Sequence, residues 1–268
     1  MSKTEILSII NQKGGVGKTT TAINLAAGLA LKNKKILVID LDPQGNATTG
    51  LGLINSESSE ETIYAVLNGK KNFLEVIKKT QFQNLDLVSS NVDLSGLEVE
   101  TAGDSRRAFI LKEQIAAYLK DFRGKYDYIF IDCPPSLSLL TVMALVASNS
   151  LIVPLQTEFF ALEGLTQLMK TIERIKINLN SDLKIKGILL TMYDKRNKLS
   201  NQVEKEARDY FKEKVYLTVI PRNVRLSEAP SHGMPCVIYD KNCLGSKSYF
   251  NLADEFLSQK SSKSENRL

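Results

Sequence analysis

Residues 6–20 read ILSIINQKGGVGKTT, and this stretch decides the fold. Ile6–Ile10 is a short apolar run of strand character, three glycines interrupt it, and a helical pattern begins at Thr19. A strand that runs through a glycine-rich loop into a helix is the context of a phosphate-binding loop. The usual pattern is G-x-x-x-x-G-K-[ST]. Gly17, Lys18 and Thr19 fill its end, but Gln12 stands at the first glycine and Lys13 follows it. Gly14 and Gly15 are expected to supply the permissive backbone instead. Backbone N–H groups over Gly14, Gly15, Val16 and Gly17, with the helix N-terminus, would cradle phosphate oxygens. The Lys18 ammonium would reach the β- and γ-phosphates, the Thr19 hydroxyl would ligate Mg²⁺, and Thr20 would bond the α-phosphate. A second lysine, Lys13, is more than this device needs.

Outward from the loop, apolar runs at 35–40, 85–90, 128–133, 151–156, 186–193 and 215–221 alternate with helical patterns at 20–32, 106–122, 162–176 and 200–214. The runs are nearly continuously apolar, as in strands covered on both faces. The expected fold is α/β: a single P-loop NTPase-like domain over residues 1–258, with a mostly parallel twisted sheet and helices on both faces. A polar tail, QKSSKSENRL at 259–268, is expected to be disordered. The stretch Leu137–Gln156 has a membrane-like look. Asn149 and Pro154 interrupt it, so a buried helix followed by a buried strand is expected. The chain opens directly on a strand, without the pattern of a signal peptide or lipid anchor.

Ligands of such sheets sit beyond the carboxyl ends of the strands, and three carboxylates fall there. YIFIDCPP ends a strand at Asp132, and VIDLDPQGN places Asp40 and Asp42 two residues apart, so that they share a direction. Asp132 suits a Mg²⁺ shell. Of Asp40 and Asp42, one would join that shell and the other would position an attacking water.

KGGVGKTT, VIDLDPQGN, IDCPPS and PRNVRLSEAPSHG, in that order, resemble the motifs of the deviant-Walker ATPases that include ParA and MinD, and most of all the ParA/Soj branch. The resemblance covers almost the whole chain. It implies that Lys13 crosses a nucleotide-sandwich homodimer to the partner's ATP. It also makes Lys13, Lys18 and Asp42 the catalytic set, with Thr19, Asp40 and Asp132 around Mg²⁺, and Pro221 and Asn223 against the adenine, with 191–194 closing its other side. In that family, arginines at the positions of Arg196 and Arg225 bind double-stranded DNA without sequence preference. A ParB-type centromere-binding partner stimulates a slow ATPase. The resemblance therefore implies a DNA-segregation switch with ATP/ADP and Mg²⁺ as cofactors, in the cytoplasm on the nucleoid.

Charge distribution agrees with a polyanion partner. From Lys184 to Glu228 there are eleven Lys/Arg against six Asp/Glu, which accounts for the whole chain's net charge of +5. A solvated helix face of mixed charge would read the same way. A MinD-like membrane-positioning ATPase is the alternative. It needs a C-terminal amphipathic helix, whereas SYFNLADEFL reads as a core-docking helix and the tail after it is polar, so no membrane partner is expected. A cluster-bridging reductase needs paired cysteines. Cys133, Cys236 and Cys243 lack metal-ligand spacing and suggest a reducing compartment. The lone His232, in PSHGMP, reads as a turn residue.

Overall fold

A computed structural model describes residues 4–53 and 58–265, with side chains to Gln259. Among the described residues, seven strands form one sheet in the order β3-β4-β2-β5-β1-β6-β7: β1 (Glu5–Ile9), β2 (Ile36–Asp40), β3 (Ile77–Lys79), β4 (Leu85–Val88), β5 (Tyr128–Asp132), β6 (Ser150–Gln156) and β7 (Lys184–Thr191). Every pairing is parallel except the edge pair β3–β4.

Alternate residues of each strand feed opposite cores. Leu7, Ile9, Ile36, Val38, Tyr128 and Phe130 pack under helix α1 (Lys18–Leu31) and the final helix Leu244–Glu265. Leu37, Ile39, Ile129 and Ile131 pack on the other face, against helices Ile110–Asp121, Leu139–Ala147 and Ala161–Asn178. Strands buried on both faces have no polar side to show, hence their continuous apolar runs. The stretch 137–156 resolves into the helix Leu139–Ala147 and strand β6, and among the described residues no helix is long and apolar enough to cross a membrane. Tyr249, Leu252, Ala253 and Phe256 bury one face of the final helix. Of the expected tail, 266–268 lie outside the described residues, and the backbone of the final helix continues to Glu265.

Two expectations need correction. The run 215–221 is not a strand: it meets the sheet only at single bridges, Ile188 with Val215 and Tyr193 with Pro221. The Tyr216 and Ile220 N–H groups donate to the β7 carbonyls of Ile188 and Leu190 at 3.0 and 2.9 Å, but side chains take the backbone groups between them, so no continuous ladder forms. Arg208 donates to the carbonyls of Tyr216 and Leu217 at 3.1 and 3.3 Å, and Glu255 accepts the N–H groups of Leu217 and Thr218 at 2.6 and 2.9 Å. Conversely, β3 has the sequence IKK, with too little apolar character for the sequence to announce it. The helix expected from 106 starts as a 3₁₀ turn at Arg107–Phe109 before the α-helix Ile110–Asp121.

Candidate functional site

Strand order puts the site together. β5 lies between β1 and β2, and the register aligns Ile9, Asp132 and Asp40 across three adjacent strand ends. The two carboxylates follow Phe130 and Val38 by two residues, so both point to the α1 face, where the loop after β1 turns. The loop is braced from two sides. The Asn11 amide donates to the Pro154 carbonyl (2.7 Å), and the Thr191 hydroxyl at the end of β7 donates to the Val16 carbonyl (2.9 Å). Gly15 and Gly17 hold left-handed φ of 74° and 86°, which a side chain would strain. Gly14 does not have positive φ, so the permissive pair is Gly15 and Gly17 rather than Gly14 and Gly15.

Gly14, Gly15, Gly17, Lys18, Thr19 and Thr20 line a cleft of about 450 Å³, and Asp42 faces it from the β2 side. Pro221 and Asn223 line an adjoining hollow of about 140 Å³ that shares Gly17, Thr20 and Met192 with the first. Met192 lies within the expected 191–194 segment and takes a φ of 50°, rare for a residue with a side chain. Sequence reasoning gave no role to Asn46 or Pro135, which also line the larger cleft. Both lie in the quoted motifs, but nothing local tells a lining side chain from a turn former.

Lys18 is only 6% exposed, and its Nζ donates to the Lys13 carbonyl at 3.0 Å. Burial pushes its pKa down, opposed by the nearby Asp132, Cys133 and Asp42. Lys13 stands at the rim, half exposed, with its Nζ paired to Glu158. Glu158 follows β6, and no local signal connects it to the loop. Beside it, Phe159 and Phe160 are 74% and 67% exposed and stack edge to face.

The two strand-end carboxylates differ sharply. Asp40 is fully buried and engaged: its Oδ1 accepts the Asp42 N–H (3.1 Å), and its Oδ2 accepts both the N–H and the hydroxyl of Thr48 (2.7 Å each). Thr48 lies in helix α2 (Asn46–Gly50), and its Oγ1 accepts the Ser90 N–H at 3.0 Å beyond β4. Asp40 therefore pins the segment that carries Asp42. Burial raises its pKa to about 6, against the pull of those donors. Asp132 is equally buried, yet neither oxygen has a hydrogen bond of normal geometry. Burial, then the Asp40 charge, push its pKa well up, while Thr19 and Lys18 favour the charged form. A buried carboxylate without a donor is costly, and a cation at Thr19 and Asp132 would remove that cost. The residues thus fit Mg²⁺ with a nucleotide's phosphates.

Arg196 and Arg225 lie outside the clefts. The bridge between Tyr193 and Pro221, with the Arg222 N–H on the Tyr193 carbonyl (3.2 Å), brings their segments side by side. Arg196 makes a two-pronged contact with Asp194 (3.1 and 3.0 Å), and Arg225 pairs with Glu228 (2.7 Å) and Asp240 (3.5 Å). His232 closes a 3₁₀ turn and stacks on Tyr239.

Comparison with known proteins places these features in company. A family model described as an AAA domain matches residues 4–185. The chain is 52% identical over 254 residues to the chromosome partitioning protein ParA of Caulobacter vibrioides, covering 95% of this chain and 94% of that protein. It is 49% identical over 251 residues to the sporulation initiation inhibitor protein Soj of Bacillus subtilis, covering 94% and 97%. Among solved structures, cobyrinic acid a,c-diamide synthase from Mycobacterium smegmatis with bound ADP and magnesium superposes with a TM-score of 0.83 at 33% identity, covering 97% of this chain and 96% of that one.

Proposed function

The chain belongs to the ParA/Soj family of chromosome-partitioning ATPases, and we propose that it works as a slow, ATP-driven DNA-segregation switch. The observation that carries this reading is the alignment of Asp132 with the loop and with Asp40, with its two oxygens unpartnered.

ATP enters the larger cleft with its phosphates on the N–H groups of Gly14–Thr20 and on Lys18, and its base in the hollow of Met192, Pro221 and Asn223. Thr19 and Asp132 hold Mg²⁺, which supplies screening of phosphate charge when bound. Asp40, whose oxygens are already engaged, belongs to the positioning of the 41–48 segment rather than to the metal. Asp42 orients the attacking water toward the γ-phosphate. Lys13 leaves Glu158 and crosses to the nucleotide of a second copy, placing an extra cation where charge builds in the transition state. The exposed Phe159 and Phe160 supply apolar area on the same face, and because Lys13 reaches the nucleotide of the other copy, the two-copy state depends on ATP. That state binds double-stranded DNA through Arg196 and Arg225 of both copies, and doubling the contacts raises affinity by avidity. Their carboxylate partners are at the surface, where ion pairs are weak enough for phosphate to displace. Hydrolysis, stimulated by DNA and a ParB-type partner, releases the DNA. The reading places the protein in the cytoplasm on the nucleoid.

The deciding experiment measures binding to unrelated duplex DNA and to anionic liposomes with ATP, ADP or no nucleotide. Salt-sensitive DNA binding that needs ATP, without liposome binding, is the expected result. ATP-dependent binding to liposomes alone would replace this reading with a MinD-like, membrane-positioning one. Lys18→Ala should lower ATP affinity by roughly 30–150-fold, the worth of one charge-assisted contact of about 2–3 kcal/mol. Unchanged affinity would remove the nucleotide from this cleft.

A further inference from the structure

Two of the three cysteines stand together, away from the nucleotide cleft. Cys236 opens the short helix Cys236–Tyr239, and Cys243 immediately precedes the final helix. Both are free thiols, with their Sγ atoms 3.6 Å apart, in van der Waals contact. The turn between them builds this contact. Asp240 donates its N–H to the Cys236 carbonyl (2.9 Å), and its Oδ1 accepts the N–H groups of Asn242 and Cys243 (3.1 and 3.2 Å). Ser246 then touches both sulfurs. Its N–H donates to Cys243 Sγ at 3.3 Å, and its Oγ lies 3.3 Å from that sulfur and 3.4 Å from Cys236 Sγ. Access is unequal: Cys236 is buried and Cys243 half-buried. An oxidant from solvent meets Cys243 first, with Cys236 directly behind it.

We propose that Cys236 and Cys243 form a reversible redox-modification site, which a peroxide closes to an intrachain disulfide. The Cys243 thiolate attacks one oxygen of hydrogen peroxide and the O–O bond breaks. This leaves a sulfenic acid on Cys243, and the departing hydroxide takes up a proton to become water. The Cys236 sulfur then attacks the sulfenic sulfur. The S–S bond forms as the S–O bond breaks, and the leaving hydroxide takes the Cys236 proton as a second water. Two thiols lose two electrons, and one peroxide is reduced to two waters.

Local chemistry suits both steps. The Ser246 N–H in the first turn of the final helix donates to the half-buried Cys243 sulfur and holds it facing both solvent and Cys236. Burial pushes the Cys236 thiol up to about 12, so its thiolate is scarce; contact between the sulfurs offsets this by making the second step intramolecular. Cys133 is buried, its thiol pushed upward by that burial, and it is far less open to the oxidant. The turn that the disulfide would lock donates the Val237 N–H to Asn24 of α1 (3.1 Å) and holds Asp240 at 3.5 Å from Arg225. The site stands independently of the switch function, although it adjoins both the phosphate-loop helix and a proposed DNA contact.

The test treats the native full chain with hydrogen peroxide, blocks remaining thiols by alkylation, and maps tryptic peptides without reduction. Trypsin cuts after Lys241, between the two cysteines. The expected product is the peptide Leu226–Lys241 joined to Asn242–Lys247, two hydrogens lighter than the separate pair and separated by dithiothreitol. Titratable thiols in denaturant should fall from three to one, leaving Cys133. Cys236→Ser should stop at a Cys243 sulfenic acid that dimedone traps. Should that variant fail to fold, the wild-type map decides alone. Disulfide-linked dimers through Cys243, or a Cys243 that stays alkylatable while Cys133 oxidises, would overturn the proposal.

Discussion

Replacing Asp132 by Asn separates what the carboxylate does for the empty protein from what it does for the loaded one. In the ligand-free chain Asp132 is fully buried, has no hydrogen bond of normal geometry, with the Thr19 hydroxyl and Lys18 near enough to favour its charged form, and shares its surroundings with the charge of Asp40. Leaving such a group unsatisfied costs about 1–3 kcal/mol, and more when it is ionised. Asn keeps the volume and removes the charge. The ligand-free variant is therefore expected to gain about 2 kcal/mol, which raises Tm by roughly 4–8 °C for a domain of this size. With nucleotide the order reverses. A ligand present at about 100 times its Kd stabilises the native state by about 2.7 kcal/mol. The share of that stabilisation that depends on Mg²⁺ should vanish in the variant. Thermal unfolding of both proteins, with ATP plus EDTA and with ATP plus Mg²⁺, reads both effects in one series. A ligand-free variant less stable than the wild type would show that Asp132 is satisfied in the native protein. An undiminished Mg²⁺ increment would take the metal away from this side chain.

Other expectations test neighbouring parts of the site. Thr48→Val removes the hydroxyl that donates to Asp40 and accepts from Ser90; a loss of about 1–3 kcal/mol in urea unfolding is expected, with Thr48→Ser close to wild type. Asp40 is protonated more readily in the folded chain, about 6 against 3.8, so its contribution to stability is fully present below pH 3.8 and is lost as pH rises through about 6. The wild-type ligand-free chain should thus lose stability between those limits relative to Asp40→Asn, and parallel curves would remove burial as the cause. Asp42→Ala should bind ATP and hold DNA without turnover; loss of nucleotide binding would give Asp42 a place in the metal shell. Arg196→Ala and Arg225→Ala should each lower the salt slope of DNA binding by about 1 without altering ATP-dependent self-association. Unchanged slopes would return both arginines to the solvated surface.

What the sequence determined by itself is local. Gly15, Gly17, Lys18 and Thr19 lie within five consecutive residues, so the strand–loop–helix signal needs nothing from the rest of the chain. Continuous apolar strands announced a sheet covered on both sides, because a strand with no polar face has no face to show to water. The tertiary structure decided everything that depends on strand order and on distant partners. β5 enters between β1 and β2, and only that insertion sets Asp132 beside the phosphate loop. Asp40 and Asp132 look alike at the ends of their runs, yet Thr48 satisfies one, and among the described residues no group makes a hydrogen bond of normal geometry to the other. Lys13 and Glu158 meet across the carboxyl edge of the sheet, and the run 215–221 touches β7 at its two ends while Arg208 and Glu255 take the backbone groups between, which breaks the ladder. Periodicity records which way a side chain faces; it carries no record of which group the folded chain will bring to meet it.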